Sequence, residues 1–489
     1  MSAPSPRRPG ERVTWRPVLA AAALLVVLVA TAGPAAAASP SVRVATPSAS
    51  HPRGRSSRVS CDRAGDRLTL TADAVLDPSC TWTAGVTITA SDVTLDCQGA
   101  TIQGTGVGDG VDVEAPITEP LHDVHVRDCR IQGFEDGVQV IRIGYTTLAA
   151  GVEYDHGFSD ISIEGSHIAD NTNVGVYVDG YVTGVTIRHD DLSGNGSSGI
   201  YLDTGSAHDV VADDDIHGNG FVASGPEGTD SVFDGVAVRS WGPGREGLSL
   251  DGSRFDRIVG NRFWDNSAGS IFLYKNCGEN YIDDAASWLP RRYGSDGNLI
   301  ERNSFQGGLN GVWVASRMGE NTLPMQCSSP AYFEAPLQRV VLDEATDNTI
   351  ERNTFTDVTY AVHVEDDDTT VAHNTFLGDD PGDYAVVVGT RLRTSVLDHP
   401  VTGTRVVGNV SRIQANPSPY RWADGQADTV MVANTALGRR AGICQAPEIP
   451  HNPFIMTIAV AAIPPGGPPP PTPDLTVPTI GPLPACPAG

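Results

Sequence analysis

The stretch Gly269–Glu279, GSIFLYKNCGE, holds Lys275, the only lysine in a chain whose other basic residues are all arginine. Lysine can lose its proton where arginine effectively cannot. Tyr274 adjoins it, and Arg239 and Arg317 fall near the ends of neighbouring stretches of the same apolar pattern. Arginine neutralises a carboxylate, and lysine or tyrosine moves a proton, so this set fits an uronic-acid lyase or epimerase. Its bland alternative is a strand end at the surface, with Lys275 paired to Glu279. A second constellation is Asp179 and Asp203, which end two successive repeats. Two carboxyls about 5–6 Å apart approach the spacing of a retaining glycosidase pair. Like-charge proximity would raise one pKa and supply an acid; the alternative is a solvated pair or a cation site. The acidic runs EDDDTT (365–370) and ADDD (212–215) leave room for calcium, although such runs are mostly solvated turns.

What must position these groups is a repeat. One half of it ends in asparagine followed by an apolar position: IVGNRF (258–263), LIERNSF (299–305), TIERNTF (349–355) and TVAHNTF (370–376). The other half is a small residue before alternating apolar positions: GVQV (137–140), GVYV (175–178), GIYL (199–202), GVAV (235–238), SIFL (270–273), GVWV (311–314), AVHV (361–364) and AVVV (385–388). The tightest spacing, Gly175 to Gly199 and again Ala361 to Ala385, is 24 residues. That length holds about three short strands and three turns, too short for a propeller blade. Valine, isoleucine and threonine dominate and no long helical period appears. Each unit can bury its apolar side only against the next, which makes a solenoid. The expected fold is an all-β, right-handed parallel β-helix of about ten coils over residues 60–435.

VTLDCQGATIQG (93–104), followed by coils of the form N-x-F…G-V-x-V, resembles the parallel β-helix repeats of the pectin-lyase-like superfamily, including its carbohydrate-active and NosD-like branches. That scaffold hosts lyases, glycosidases, epimerases and non-catalytic adhesins, so the resemblance implies a fold rather than a reaction. The chain lacks the superfamily's GHG, RIK, WIDH and DPHD signatures, and no catalytic set transfers. The resemblance implies an asparagine ladder at one turn, here Asn261, Asn303, Asn353, Asn374 and Asn409, with Asp190 and Asp214 in register before them. These residues are structural.

Alternation within G-V-x-V turns the valines inward. The outward column reads Gln139, Tyr177, Tyr201, Ala237, Phe272, Trp313, His363, Val387. The next reads Ile141, Asp179, Asp203, Arg239, Tyr274, Ala315, Glu365, Gly389. Aromatics on successive rungs form a platform for sugar faces unless the loops cover them. The gaps that swell beyond the minimal repeat mostly follow the same strand, which makes this sheet a groove floor and the insertions one wall. Trp288 and Arg291 in one insertion, with Tyr332 and Glu334 in another, are residue types that line a sugar cleft.

The formal charge of −26 excludes a basic nucleic-acid footprint. Residues 1–38 have the arginine-rich start, apolar run and small-residue end of an export signal; 39–59 form a polar leader, 436–462 a cap or irregular segment, and 463–489 a proline-rich tail. No later stretch is long enough to span a membrane. Eight cysteines in an exported chain favour disulfides; order along the chain gives Cys61–Cys80, Cys97–Cys129, Cys277–Cys327 and Cys444–Cys486. The expected protein is secreted, monomeric and polysaccharide-active: a lyase or epimerase on acidic glycans, or a glycoside hydrolase. The competing reading is a non-catalytic glycan-binding or structural solenoid.

Overall fold

The computed structural model describes residues 57–221, 224–233, 236–275, 292–315, 331–335, 338–341, 344–389, 400–422, 426–442, 444–445 and 456–459. Its frame is three long sheets of thirteen strands each, joined almost entirely by parallel pairing of strands one coil apart. One coil illustrates all of them. Val185–Arg188 lies in the first sheet, Asp191–Ser193 in the second and Ser198–Leu202 in the third, before the chain returns to the first sheet at Val210–Ala212. The rungs outnumber the ten coils expected, because the early coils from Ser57 to Gln103 lack the N-x-F signature.

The alternation of the strands puts one row of apolar side chains inside at every rung. Ile187, Leu192, Ile200 and Leu202 are at most 1% exposed. The phenylalanines of N-x-F form their own column: Phe263, Phe305, Phe355 and Phe376 stack with ring centroids 5.1, 4.5 and 5.2 Å apart. A buried phenylalanine stabilises by about 1.5–3 kcal/mol relative to exposure, and here each ring meets its neighbours one rung away.

The turn before each N-x-F explains the residue that precedes the asparagine. Gly260, Arg302, Arg352, His373 and Gly408 all sit at positive φ, between 56° and 75°. This conformation bends the chain so that the asparagine points inward. Asn303 donates its backbone N–H to Asn353 Oδ1 at 2.8 Å, and its own Nδ2 reaches the same Oδ1 at 3.1 Å and the Ile258 carbonyl at 2.8 Å. The pattern continues through Asn261, Asn353, Asn374, Asn409 and Asn434. Two further ladders escaped the sequence reading. Asn171, Asn195, Asn219 and Asn266 line the turn into the third sheet. Asp209, Asp256, Asn298 and Asn348 line the turn back to the first.

One coil departs from expectation. Gly235–Val238 is not a rung of the third sheet. Val236–Pro243 pairs antiparallel with Ser224–Phe233 on one side and Met456–Ala459 on the other. The rung is Glu246–Asp251, which pairs with Ser198–Leu202 below and Gly269–Tyr274 above. The insertion leaves the solenoid at a narrow neck, where the Arg245 N–H donates to the Gly220 carbonyl at 2.8 Å. It lies before the third sheet, whereas the insertions after residues 143, 275, 315 and 389 follow it. Disulfides join Cys61 to Cys80 and Cys97 to Cys129 in the first coils. Cys277, Cys327 and Cys486 lie outside the described residues, and Cys444 is described only as part of a strand.

Candidate functional site

The outer face of the third sheet is the floor proposed from the sequence, and its register fixes who neighbours whom. One outward column runs Asp112, Gln139, Tyr177, Tyr201, Ser249, Phe272, Trp313, His363, Val387, Arg421. The adjoining column runs Glu114, Ile141, Asp179, Asp203, Asp251, Tyr274, Ala315, Glu365. In some rungs only glycine fits the first place of G-V-x-V. A Cβ on Gly175 would meet the Gly199 carbonyl oxygen at 2.4 Å, and one on Gly247, in the coil that the sequence pattern misplaced, the Asn266 amide at 2.7 Å.

Ser249 and Asp251 thus occupy the places expected for Ala237 and Arg239. Arg239 stands in the antiparallel insertion, opposite Asp230 and Ile458, and is not on the floor. Both G-V-A-V and G-L-S-L satisfy the alternation, and only the pairing distinguishes them. Arg317, Trp288 and Arg291 lie outside the described residues. The structure does bring Asp179, Asp203, Tyr177, Tyr201, Phe272, Tyr274, Trp313 and His363 to one face, while Lys275 follows the end of its strand and lies in neither column.

With Asp251 added, three carboxylates end three successive rungs about 4.8 Å apart. They are buried: Asp179 is 3%, Asp203 2% and Asp251 0% exposed. Tyrosine hydroxyls bridge the rungs diagonally. Tyr177 donates to Asp203 Oδ2 at 3.0 Å and Tyr201 to Asp251 Oδ2 at 2.5 Å, their rings stacked 5.2 Å apart and 3° from parallel. Burial, then the Asp203 charge, pushes the Tyr177 phenol well above its ordinary value, so it remains a donor. Glu246, three residues before the first floor position of its own strand, accepts from Tyr274 at 2.6 Å and from Ser249. The sequence reading missed Glu246 because it had placed this strand elsewhere.

Above this polar strip the floor turns apolar. Phe272 and Trp313 meet edge to face at 5.0 Å, packed with Ala268, Tyr274 and Ala315. The tyrosine pattern then returns in another residue type: the Trp313 Nε1 donates to Glu365 Oε2 at 2.9 Å, and His363 Nε2 lies 3.5 Å from Glu365 Oε1. Phe272, Trp313 and His363 are 5% exposed or less, so no open aromatic platform is presented at these rungs. Lys275 is fully buried, with Nζ 3.4 Å from Glu344 Oε2 rather than at a solvent-facing strand end. Further down, Asp112, Glu114, Gln139 and Ile141 are half-buried, the accessible end of the floor.

The acidic runs are consumed by turns. Asp366 accepts the Ala345 and Asp367 N–H groups, and Asp367 accepts from Thr402. Asp214 is a ladder residue and Asp215 pairs with Arg262. Among the described residues the only compact group of metal-ligating types is Cys61, Asp77 and Cys80, whose thiols are tied in a disulfide.

Two family models match the chain: one described as a right handed beta helix region over residues 122–286, and one as periplasmic copper-binding protein (NosD) over residues 228–381. The described residues of the latter stretch gather no copper ligand set. No curated protein matches the sequence. Among solved structures, the A-module of the mannuronan C-5 epimerase AlgE6 of Azotobacter vinelandii is similar at 12% identity, covering 78% of this chain and 87% of that one, with a TM-score of 0.47. The alginate lyase of Paenibacillus sp. is 13% identical over 73% of this chain and 92% of its own, at 0.40. The catalytic unit of the GH87 alpha-1,3-glucanase of Streptomyces thermodiastaticus is 12% identical over 80% and 71%, at 0.43. The chain is a right-handed parallel β-helix. At these identities its reaction has to be argued from its own side chains.

Proposed function

We propose that this protein is an exported glycan-active enzyme that hydrolyses a glycosidic bond on the third-sheet floor, with Asp203 and Asp251 as its carboxyl pair and Asp179 and Glu246 beside them. The observation that carries the reading is the buried strip itself. Taking a carboxylate out of water is costly unless it is paired and hydrogen-bonded, and an outer sheet face has no folding need for such a row. Hydrolysis needs one carboxyl as acid and one carboxylate as nucleophile or base. Neighbouring rungs at about 4.8 Å come close to the separation of about 5–5.5 Å used by retaining enzymes. The tyrosines fix the carboxyl orientations, and Tyr177 and Gln139 lead toward the accessible end.

The lyase or epimerase reading loses its support on the floor, since Arg239 is elsewhere and Lys275 is ion-paired to Glu344. Export belongs to the proposal: residues 1–38 have a signal layout, and two disulfides suit an oxidising compartment. Among the described residues no helix is long and apolar enough to cross a membrane. Incubating the purified protein with a panel of glycans, following both reducing ends and the ultraviolet absorbance of unsaturated sugars, tests the reading. New reducing ends without unsaturation are expected. Unsaturated products would return the protein to the lyases, and binding without turnover would make it a glycan-binding module.

A further inference from the structure

Two of the turn ladders change residue type along the axis. Their later rungs hold asparagine, whereas the rungs between residues 190 and 256 hold Asp190, Asp214, Asp209 and Asp256, all at most 3% exposed. In an asparagine rung both halves of the amide are used. Oδ1 accepts the backbone N–H of the preceding rung, and Nδ2 donates onward to the next Oδ1 and to a strand carbonyl, as Asn303 does. The aspartates keep the first half. Asp190 Oδ1 accepts the Ser166 N–H at 2.6 Å, Asp214 Oδ1 the Asp190 N–H at 2.7 Å, Asp209 Oδ1 the Val185 N–H at 2.8 Å and Asp256 Oδ1 the Asp209 N–H at 2.9 Å. In three of the four the second half has no donor. Oδ2 of Asp190, Asp214 and Asp209 stands buried with no hydrogen bond, at the place where asparagine sets its amide nitrogen. At Asp256, stacked beside Asp209, the Ser253 hydroxyl donates to Oδ2 at 2.5 Å. In the other three an ionised carboxylate turns an acceptor toward acceptors. A neutral carboxylic acid restores the missing donor.

We propose that these four aspartates are a proton-binding site built into the solenoid: each holds a proton in the folded chain and so acts as an asparagine, and the coils that carry Asp203 and Asp251 are complete only with those protons bound. The surroundings agree. Burial, the largest cause in every case, raises Asp190 to about 7, Asp214 to about 8, Asp256 to about 7 and Asp209 well above its ordinary value. Neighbouring acids add to it: Glu164 at Asp190, Asp190 and Asp213 at Asp214, Asp256 at Asp209. The basic groups of these turns do not offset this. Arg188 and His189 beside one ladder, and His208 and Arg257 beside the other, are exposed, while Arg254 lies over the Tyr293 ring.

The sign follows from linkage. The folded chain keeps protons that the unfolded chain releases above the ordinary aspartate range. The stabilisation is therefore complete only below the ordinary aspartate range, near about pH 4, and is lost progressively as pH rises from there to about 7 to 8, by up to tenfold in the folding equilibrium per pH unit and carboxyl. The test replaces all four by asparagine (Asp190→Asn, Asp214→Asn, Asp209→Asn, Asp256→Asn) in the full chain, a change the later rungs already tolerate. Denaturant unfolding between pH 5 and pH 8 is compared with the parent, together with the infrared carbonyl band of protonated carboxyl groups at pH 7. The parent should lose at least a hundredfold more in folding equilibrium over this range than the variant, and should show a stronger band than the variant. Equal pH slopes, or equal bands, would overturn the proposal. Neither readout depends on what the floor does.

Discussion

The outer faces of the first and third sheets belong to the same coils, carry charge on successive rungs, and arrange it in opposite ways. On the first sheet the signs alternate along one column: Asp96, Arg127, Glu164, Arg188, with Asp96–Arg127 at 2.8 Å and Glu164–Arg188 at 2.9 Å. Both arginines are more than 40% exposed. On the third sheet Asp179, Asp203 and Asp251 repeat one sign and are buried, and Asp203 and Asp251 each accept a tyrosine hydroxyl. Alternation relieves the repulsion of like charges in register, and where this column later repeats a sign, at Glu301 and Glu351, Arg352 pairs with both. The buried one-sign row on the other face is a local departure of the kind expected at functional sites.

The sharpest way to break this contrast is to neutralise the row. Asp203→Asn and Asp251→Asn should each lower turnover by about 10²–10⁴-fold, the range of a lost acid or base, with thermal unfolding unchanged or slightly raised because a buried charge is gone. Full activity in both would reduce the row to a curiosity of packing. Lys275→Ala comes next. Removing a fully buried stem should cost about 2–4 kcal/mol, read as a lower denaturant midpoint at constant slope, and Glu344, 39% exposed, can rehydrate. An unchanged midpoint would mean that the lysine is not part of the packing. The smallest effect is expected on the first sheet: Arg188→Ala should cost less than about 1 kcal/mol and leave turnover intact. A loss comparable to that of Lys275→Ala would erase the distinction between the two faces.

Much of this was legible because a solenoid writes its structure locally. The ladder asparagines and the inward phenylalanines recur with fixed offsets, and seven of the eight quoted strands fall on the third sheet. What escaped depends on contacts far apart in sequence. Gly235–Val238 mimics a rung in every local respect, and its antiparallel pairing with Ser224–Phe233 and with Met456–Ala459, more than 200 residues away, shows where it belongs. Asp251 and Glu246 were lost with that misplacement. Glu344, the partner of Lys275, lies 69 residues away in sequence and has no motif to announce it. The burial of the floor rings was equally invisible, because alternation says which way a side chain points but not what lies over it.

The asparagine turns at 171, 195 and 219 are spaced at 24 residues and bonded to one another in an identical manner, each amide receiving from below and giving above. Residues 195–218 therefore have matching upper and lower surfaces, like a brick whose top fits its own underside. A second copy of this segment placed after the first meets no new kind of junction on either side. Lengthening by whole bricks adds about 4.8 Å of groove at a time, and with each a further tyrosine and carboxylate, so a gene can extend the reach of this floor by duplication without redesigning the fold.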